Sequence, residues 1–278
     1  MAFNPEALKK SLNNRAGNNE FWKPTADKTT IRILPPKGKG VELPWVGILM
    51  HFKLPLSQGP VVCGKTINKD TGKFEGSCPV CDYVSKLYKS DNAEDVELAR
   101  QIKASPYYYA NILDKSDGSP EIQLKPKVYR FGKLVKEQLE ECFTRKISAD
   151  GTVLTGEDLV DADLTAVKTD IEDISHPKTG KNIRIIKGTK VISEKQTITT
   201  YVLQKGGKPA PILNEQVVMN LATDLTKYIV KSDKLELQKN LKFLLGQPIE
   251  EQDLKEDEID MSPPENSEYT GTAGFDEE

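Results

Sequence analysis

This sequence has no long apolar run. Its best, Trp45 to Met50, is six residues, far short of the ~20 that a membrane-spanning helix needs. Met1 to Asn14 contains no apolar leader segment either, so the expectation is a chain neither secreted nor inserted in a membrane. Histidine occurs twice and cysteine four times in 278 residues. That is too little cysteine for a disulfide scaffold, and the thiols read as reduced side chains or metal ligands. Internal repeats and a regular strand–helix–strand rhythm are missing too. With 37% apolar and 29% charged residues, part of the chain is expected not to pack.

The near-zero net charge of -3 conceals a division. Residues 250–278 hold twelve acids and one base, Lys255, a net -11; the rest holds 38 bases and 30 acids, a net +8. Residues 1–18 carry Lys9, Lys10 and Arg15 against Glu6. The expected organisation is a basic arm (1–18), a core (19–249) and an acidic, disordered tail (250–278). A solvating tail is the plain explanation. The sharper one is a body for polyanions and a tail for protein partners or for the body's own site.

Strands are expected at Thr29–Leu34, Trp45–Phe52, Tyr107–Leu113, Gln123–Phe131, Asn182–Lys187 and Thr197–Leu203, where β-branched and aromatic residues concentrate. Asn68 to Gly72 reads as a turn. Helical signals run from Cys81 to Tyr88, Ala93 to Lys103 and Leu134 to Phe143, the last with Val135, Leu139, Cys142 and Phe143 on one face. Val218, Leu221, Leu225, Tyr228 and Ile229 make a further stripe. A last helix is expected from Asp233, paired with Glu236, to Gly246. The pattern favours an α+β chain with a small barrel.

The strongest local signal is His51-x11-Cys63-x14-Cys78-Pro-Val-Cys81. Zinc takes about four soft or borderline ligands in a tetrahedron, and a Cys-x-x-Cys turn entering a helix presents two thiolates to one ion. A redox pair would follow a strand in a strand–helix–strand setting that is missing here. A zinc deaminase needs His-x-Glu, whereas Phe52 and Lys53 follow His51. Four protein ligands leave no open position, so the site reads as one structural Zn2+, with no catalysis. Cys142 reads as core and His176 as solvent-exposed.

Residues 123–136 hold Lys125, Lys127, Arg130, Lys133 and Lys136 and no acid; residues 178–190 repeat this with Lys178, Lys181, Arg184, Lys187 and Lys190. In an extended strand Lys125, Lys127, Tyr129 and Phe131 share a face. Tyr107, Tyr108 and Tyr109 put rings on both faces of theirs. Cations that track a backbone, with flat rings on which any base stacks, suit single-stranded nucleic acid; core packing is the alternative for each ring.

These residues together resemble the single-stranded-DNA-binding (helix-destabilising) proteins of T-even-like bacteriophages. The likeness lies in Thr30-Ile-Arg-Ile-Leu-Pro35, His51 with Cys63, Ser77-Cys-Pro-Val-Cys81 followed by Tyr83, Tyr108-Tyr-Ala-Asn-Ile-Leu113 and Tyr129-Arg-Phe-Gly-Lys133, and it spans about residues 20–278. It implies an OB-like barrel with an inserted zinc subdomain (about 51–88), C-terminal helices, and zinc held by His51, Cys63, Cys78 and Cys81. It implies Tyr83, Tyr88, Tyr108, Tyr109, Tyr129 and Phe131, with Tyr201, as cleft aromatics, and Arg32, Arg130 and Lys133 as phosphate contacts. It further implies cooperative self-association through the arm, replication, recombination and repair proteins as tail partners, and a place on replicating DNA in the cytoplasm of the infected bacterial host. The arm's basic motif shrinks here to Lys9-Lys10-Ser11, and the tail lacks a serine-rich run. A zinc-stabilised transcription or replication adaptor that acts through its acidic tail is the alternative function.

Overall fold

Alternating Ile31 and Ile33 bury one face of the first strand, and the same logic recurs along the chain. A computed structural model describes residues 21–68, 71–116, 124–154, 167–193, 196–230 and 232–249; the expected arm and tail lie outside them. In chain order the strands are β1 (Lys28–Ile33), β2 (Trp45–His51), β3 (Val61–Val62), β4 (Thr66–Ile67), β5 (Phe74–Glu75), β6 (Ala104–Asp114), β7 (Lys127–Gly132), β8 (Thr144–Ile147), β9 (Val153–Leu154), β10 (Lys168–Ile171), β11 (Lys181–Ser193) and β12 (Gln196–Pro209). The helices are α1 (Pro79–Leu87), α2 (Ala93–Ile102), α3 (Lys133–Cys142), α4 (Glu215–Leu221) and α5 (Lys234–Leu244), with a 3-10 turn at Leu225–Tyr228.

The main sheet is antiparallel, in the order β12-β11-β1-β6-β2-β3. Strand β6 is its hub. One edge pairs first with β2 (Ala104 to Ala110) and then with β1 (Ile112 to Asp114); the other edge pairs with β7. The expected small barrel is not closed: among the described residues no ladder joins β7 or β3 to β12. The outer edge of β7 instead meets Trp22, whose N–H donates to the Val128 carbonyl at 2.7 Å. A three-stranded sheet (β10-β8-β9) and the β4–β5 hairpin stand apart.

The central core gathers Ile31, Ile33, Ala110, Ile112, Tyr129, Phe131, Leu139, Ile183 and Ile185 between the sheet and α3. A second core lies under α1 and α2 and includes Cys63 and Cys78, so the metal-ligand residues sit in a small domain with an apolar interior of its own. The expected C-terminal stripe is broken. Asp224 caps the 3-10 turn at the Thr226 N–H, so Val218, Leu225 and Tyr228 are buried while Leu221 and Ile229 face outward. Strand β7 starts at Lys127 rather than Gln123, which leaves Lys125 outside the ladder.

Candidate metal centre and nucleic-acid groove

His51 ends β2, Cys63 follows β3, and Cys78 and Cys81 flank the start of α1. Pro79 stands in the first turn of α1, where its missing N–H costs nothing. The helix therefore turns its positive end toward two sulfurs, an environment that favours thiolates. One ligand atom from each of the four residues lies within 4.8 Å of all the others. His51 Nε2 is 3.3 Å from Cys78 Sγ and 3.6 Å from Cys81 Sγ, and the sulfurs of Cys63 and Cys81 are 3.5 Å apart. Bond lengths to a tetrahedral zinc-sized ion put neighbouring ligand atoms about 3.5–3.8 Å apart, so the donors fit one.

The electrostatics ask for a cation. Hydrogen bonding to Cys63 and Cys81 drives the Cys78 thiol far below its ordinary range, while hydrogen bonding to Cys63 and Cys78 drives the Cys81 thiol far above. Burial alone would lower the His51 pKa, yet the sulfurs of Cys63 and Cys78 and the Ile102 carbonyl raise it to about 10. The Nδ1 of His51 lies 2.8 Å from the Ile102 carbonyl; a carbonyl only accepts, so Nδ1 carries a proton, and a ring that holds a metal would do so through Nε2, which faces the sulfurs. The four residues could hold a metal ion.

Beside this centre an open groove of about 640 Å³ runs between the metal domain and α3. Lys65 and Lys73 from the β4–β5 region, Lys103 after α2, and Lys133 and Lys136 from α3 line it, with the rings of Phe74, Tyr88 and Tyr108. Among the described residues Lys65, Lys73 and Lys103 make no ion pair, whereas Lys133 and Lys136 pair along the helix with Glu137 and Glu140. Gly47 on β2 sits opposite Tyr108. A Cβ there would meet the Tyr108 ring at 2.8 Å and Ile67 Cδ1 at 2.7 Å, so only glycine lets the ring lie this low.

The groove gathers Tyr88, Tyr108 and Lys133 of the expected contacts and leaves the others elsewhere. Arg32 is fully buried. Its guanidinium donates to the carbonyls of Ala210, Ile174, Lys181 and His176, and burial lowers its pKa to about 10 despite Asp173 nearby. It ties the 174–181 loop to β1 and has no free donor edge for a phosphate. Tyr129 and Phe131 do share a face, as expected, but it is the core face. Tyr109 is buried on the opposite side of β6, stacked on Tyr228 at 4.6 Å. Tyr83 packs into the metal domain and Tyr201 against the central core.

Of the expected cations, Lys127 is paired to Asp114 at 3.2 Å. Arg130 lies over the rings of Phe21 and Tyr107, and Lys125 is exposed before β7. The groove residues that sequence reasoning missed are Lys65, Lys73, Phe74 and Lys103. The signal for Lys65, Lys73 and Phe74 was a basic segment inside the ligand spacing (Gly64-Lys-Thr-Ile-Asn, Gly72-Lys-Phe) that reads as a mere turn; Lys103, at the end of a helical segment, had none.

A basic, ring-lined groove thus lies beside a four-donor centre that could hold a metal ion. Residues 26–162 match the family described as gp32 DNA binding protein like, and this segment, which is similar to that family, carries all four metal-ligand residues and all eight groove residues named above. The chain is 34% identical over 116 residues to the single-stranded DNA-binding protein of Enterobacteria phage T4, covering 40% of this chain and 35% of that protein. It is 42% identical over 66 residues to the corresponding protein of Enterobacteria phage T2, covering 23% and 20%. The matches thus span about a third or less of these relatives' length. Both relatives are binding proteins by description, in keeping with a non-enzymatic reading. No helix among the described residues is long and apolar enough to cross a membrane.

Proposed function

We propose that this chain is a sequence-tolerant single-stranded-DNA-binding protein of a T-even-like phage. It coats and protects DNA exposed during replication, recombination and repair in the infected host. The groove carries this reading: five lysines form a rail for phosphates, and Phe74 and Tyr88 offer faces on which any base can stack, above a floor formed by the buried Tyr108 ring. The open antiparallel sheet acts as an OB-like platform, and one Zn2+ held by His51, Cys63, Cys78 and Cys81 fixes the groove's far wall. The arm at 1–18 serves self-association on DNA, and the acidic tail at 250–278 serves replication and recombination proteins. The similarity to the phage proteins supports the nucleic-acid class.

The test is a fluorescence titration with poly(dT) at two salt concentrations. Quenching reports stacking, and the shift of the midpoint with salt reports phosphate contacts. Saturable quenching that weakens steeply with salt is expected. An affinity no higher than for an uncharged polymer at both salts would leave the adaptor reading, in which the tail does the work.

A further inference from the structure

We propose that α5 is a clasp on the metal centre: its docking sets how firmly the ion is held, and the ion in turn holds α5 in place. The inference rests on the metal reading above. The ends of the loop that joins His51 to Cys63 are pinned by the β2–β3 ladder, with Val61 opposite His51, and by the Cys63 N–H, which donates to the Leu49 carbonyl at 2.9 Å. The span between them, residues 52–60, has no regular structure of its own, and helix α5 braces it from outside.

Asn240, fully buried, accepts from the Leu56 N–H at 2.9 Å and donates to Ser57 Oγ at 2.9 Å and to the Glu236 carbonyl at 2.9 Å. Ser57 Oγ donates to Glu236 at 2.6 Å. One turn away, Leu237 is fully buried in the apolar cluster that contains Cys63, Cys78 and Leu54. The same helix packs on α1, which carries Cys81. Thus α5 touches both halves of the ligand set while supplying no ligand. If docking of α5 favours the metal-competent loop, metal binding must favour docked α5 by the same factor, because linkage between two equilibria is reciprocal. The helix immediately precedes the -11 tail, so the ion's presence bears on where that tail is tethered.

The experiment follows zinc release from the full-length protein to a chromophoric chelator. Asn240→Ala should release metal about tenfold faster than the unaltered protein, the low end of the effect of outer-shell partners, because Asn240 acts through the loop rather than on a ligand. Ser57→Ala, a milder change, should accelerate release in the same direction. Asn111→Ala is the control for mere destabilisation. Asn111 is an equally buried carboxamide that bonds both backbone groups of Thr223, away from the centre; its loss should lower the melting temperature without hastening release. Stripping the metal from the unaltered protein should also speed proteolysis within 233–249. Equal release rates for the Asn240, Ser57 and Asn111 variants, or unchanged protection of 233–249 on stripping, overturn the clasp while the metal reading stands. A purified protein with no bound metal overturns the metal reading itself, and the clasp with it.

Discussion

The side chain of Gln138 grips the backbone of β12 at Leu203: its Oε1 accepts the Leu203 N–H at 2.9 Å, while its Nε2 donates to the Tyr201 carbonyl at 2.9 Å. One carboxamide on α3 thereby stands in for a peptide unit of a missing neighbour strand, at an edge where β12 has no strand partner among the described residues. Free edges invite pairing with other chains. Gln138→Ala should cost about 1–2 kcal/mol, since two backbone groups lose their partner. It should also raise the tendency to self-associate. Denaturant melts and light scattering check both, and an unchanged scattering profile would show that the edge is protected in another way.

Arg32→Lys separates a buried strut from a phosphate contact. A lysine cannot reach the carbonyls of Ala210, Ile174, Lys181 and His176 together, so stability should fall by about 3 kcal/mol or more. Among molecules that remain folded, the salt dependence of DNA binding should be unchanged. A lowered salt slope at unchanged stability would return Arg32 to the binding surface.

In the groove, Lys103→Ala and Lys136→Ala should each lower the salt slope on single strands by about 0.7, the share of one phosphate. Tyr88→Ala should weaken binding by about 1–3 kcal/mol at constant slope. Tyr129→Ala, by contrast, should lower the melting temperature first, because that ring is core. Titrations beside thermal melts distinguish the two behaviours for each variant.

Purified protein should contain one zinc per chain. Chelation should loosen residues 51–88 before the main sheet melts, because the metal domain has a separate core. Structural zinc is worth ~10–16 kcal/mol apparent in isolated finger peptides, and less where another core persists. Elemental analysis and hydrogen exchange with and without chelator provide the check; Cys142→Ser should keep the metal.

Deleting residues 250–278 should tighten DNA binding at low salt, with the gain fading as salt rises. A -11 segment tethered to a +8 body competes with DNA at high effective concentration, and salt screens that competition. Equal affinities at every salt would reduce the tail to a solubilising extension. Phe275, an aromatic among the last acids, is the expected anchor for partner proteins.

The metal set was legible because its spacing is chemistry written locally: four donors of the right type in 31 residues, at a strand end and a helix start. The helices at 133–142 and 234–244 were legible from their apolar periodicity and the Asp233 cap, which does accept from the Glu236 N–H. Most of the aromatic assignments were not. Tyr129 and Phe131 alternate as a surface ladder would, but strand period cannot say which face meets α3. That is decided by the pairing of β7 with β6, a tertiary fact. Arg32 misled for the same reason, since a lone arginine in an apolar strand looks like a ligand contact until the loop carbonyls that surround it are in place. Among the described residues the barrel does not close, and closure depends on strand registers across the whole sheet, which no local pattern states.

Gly47 acts as a depth gauge for the groove. A methyl group at that position would wedge up the Tyr108 ring and raise the floor under the bases, while leaving the lysine rail where it is. Under the proposed reading, the depth open to a base would therefore change through a residue that does not itself line the groove. The clearance available to the strand is measured by an atom that β2 does not have.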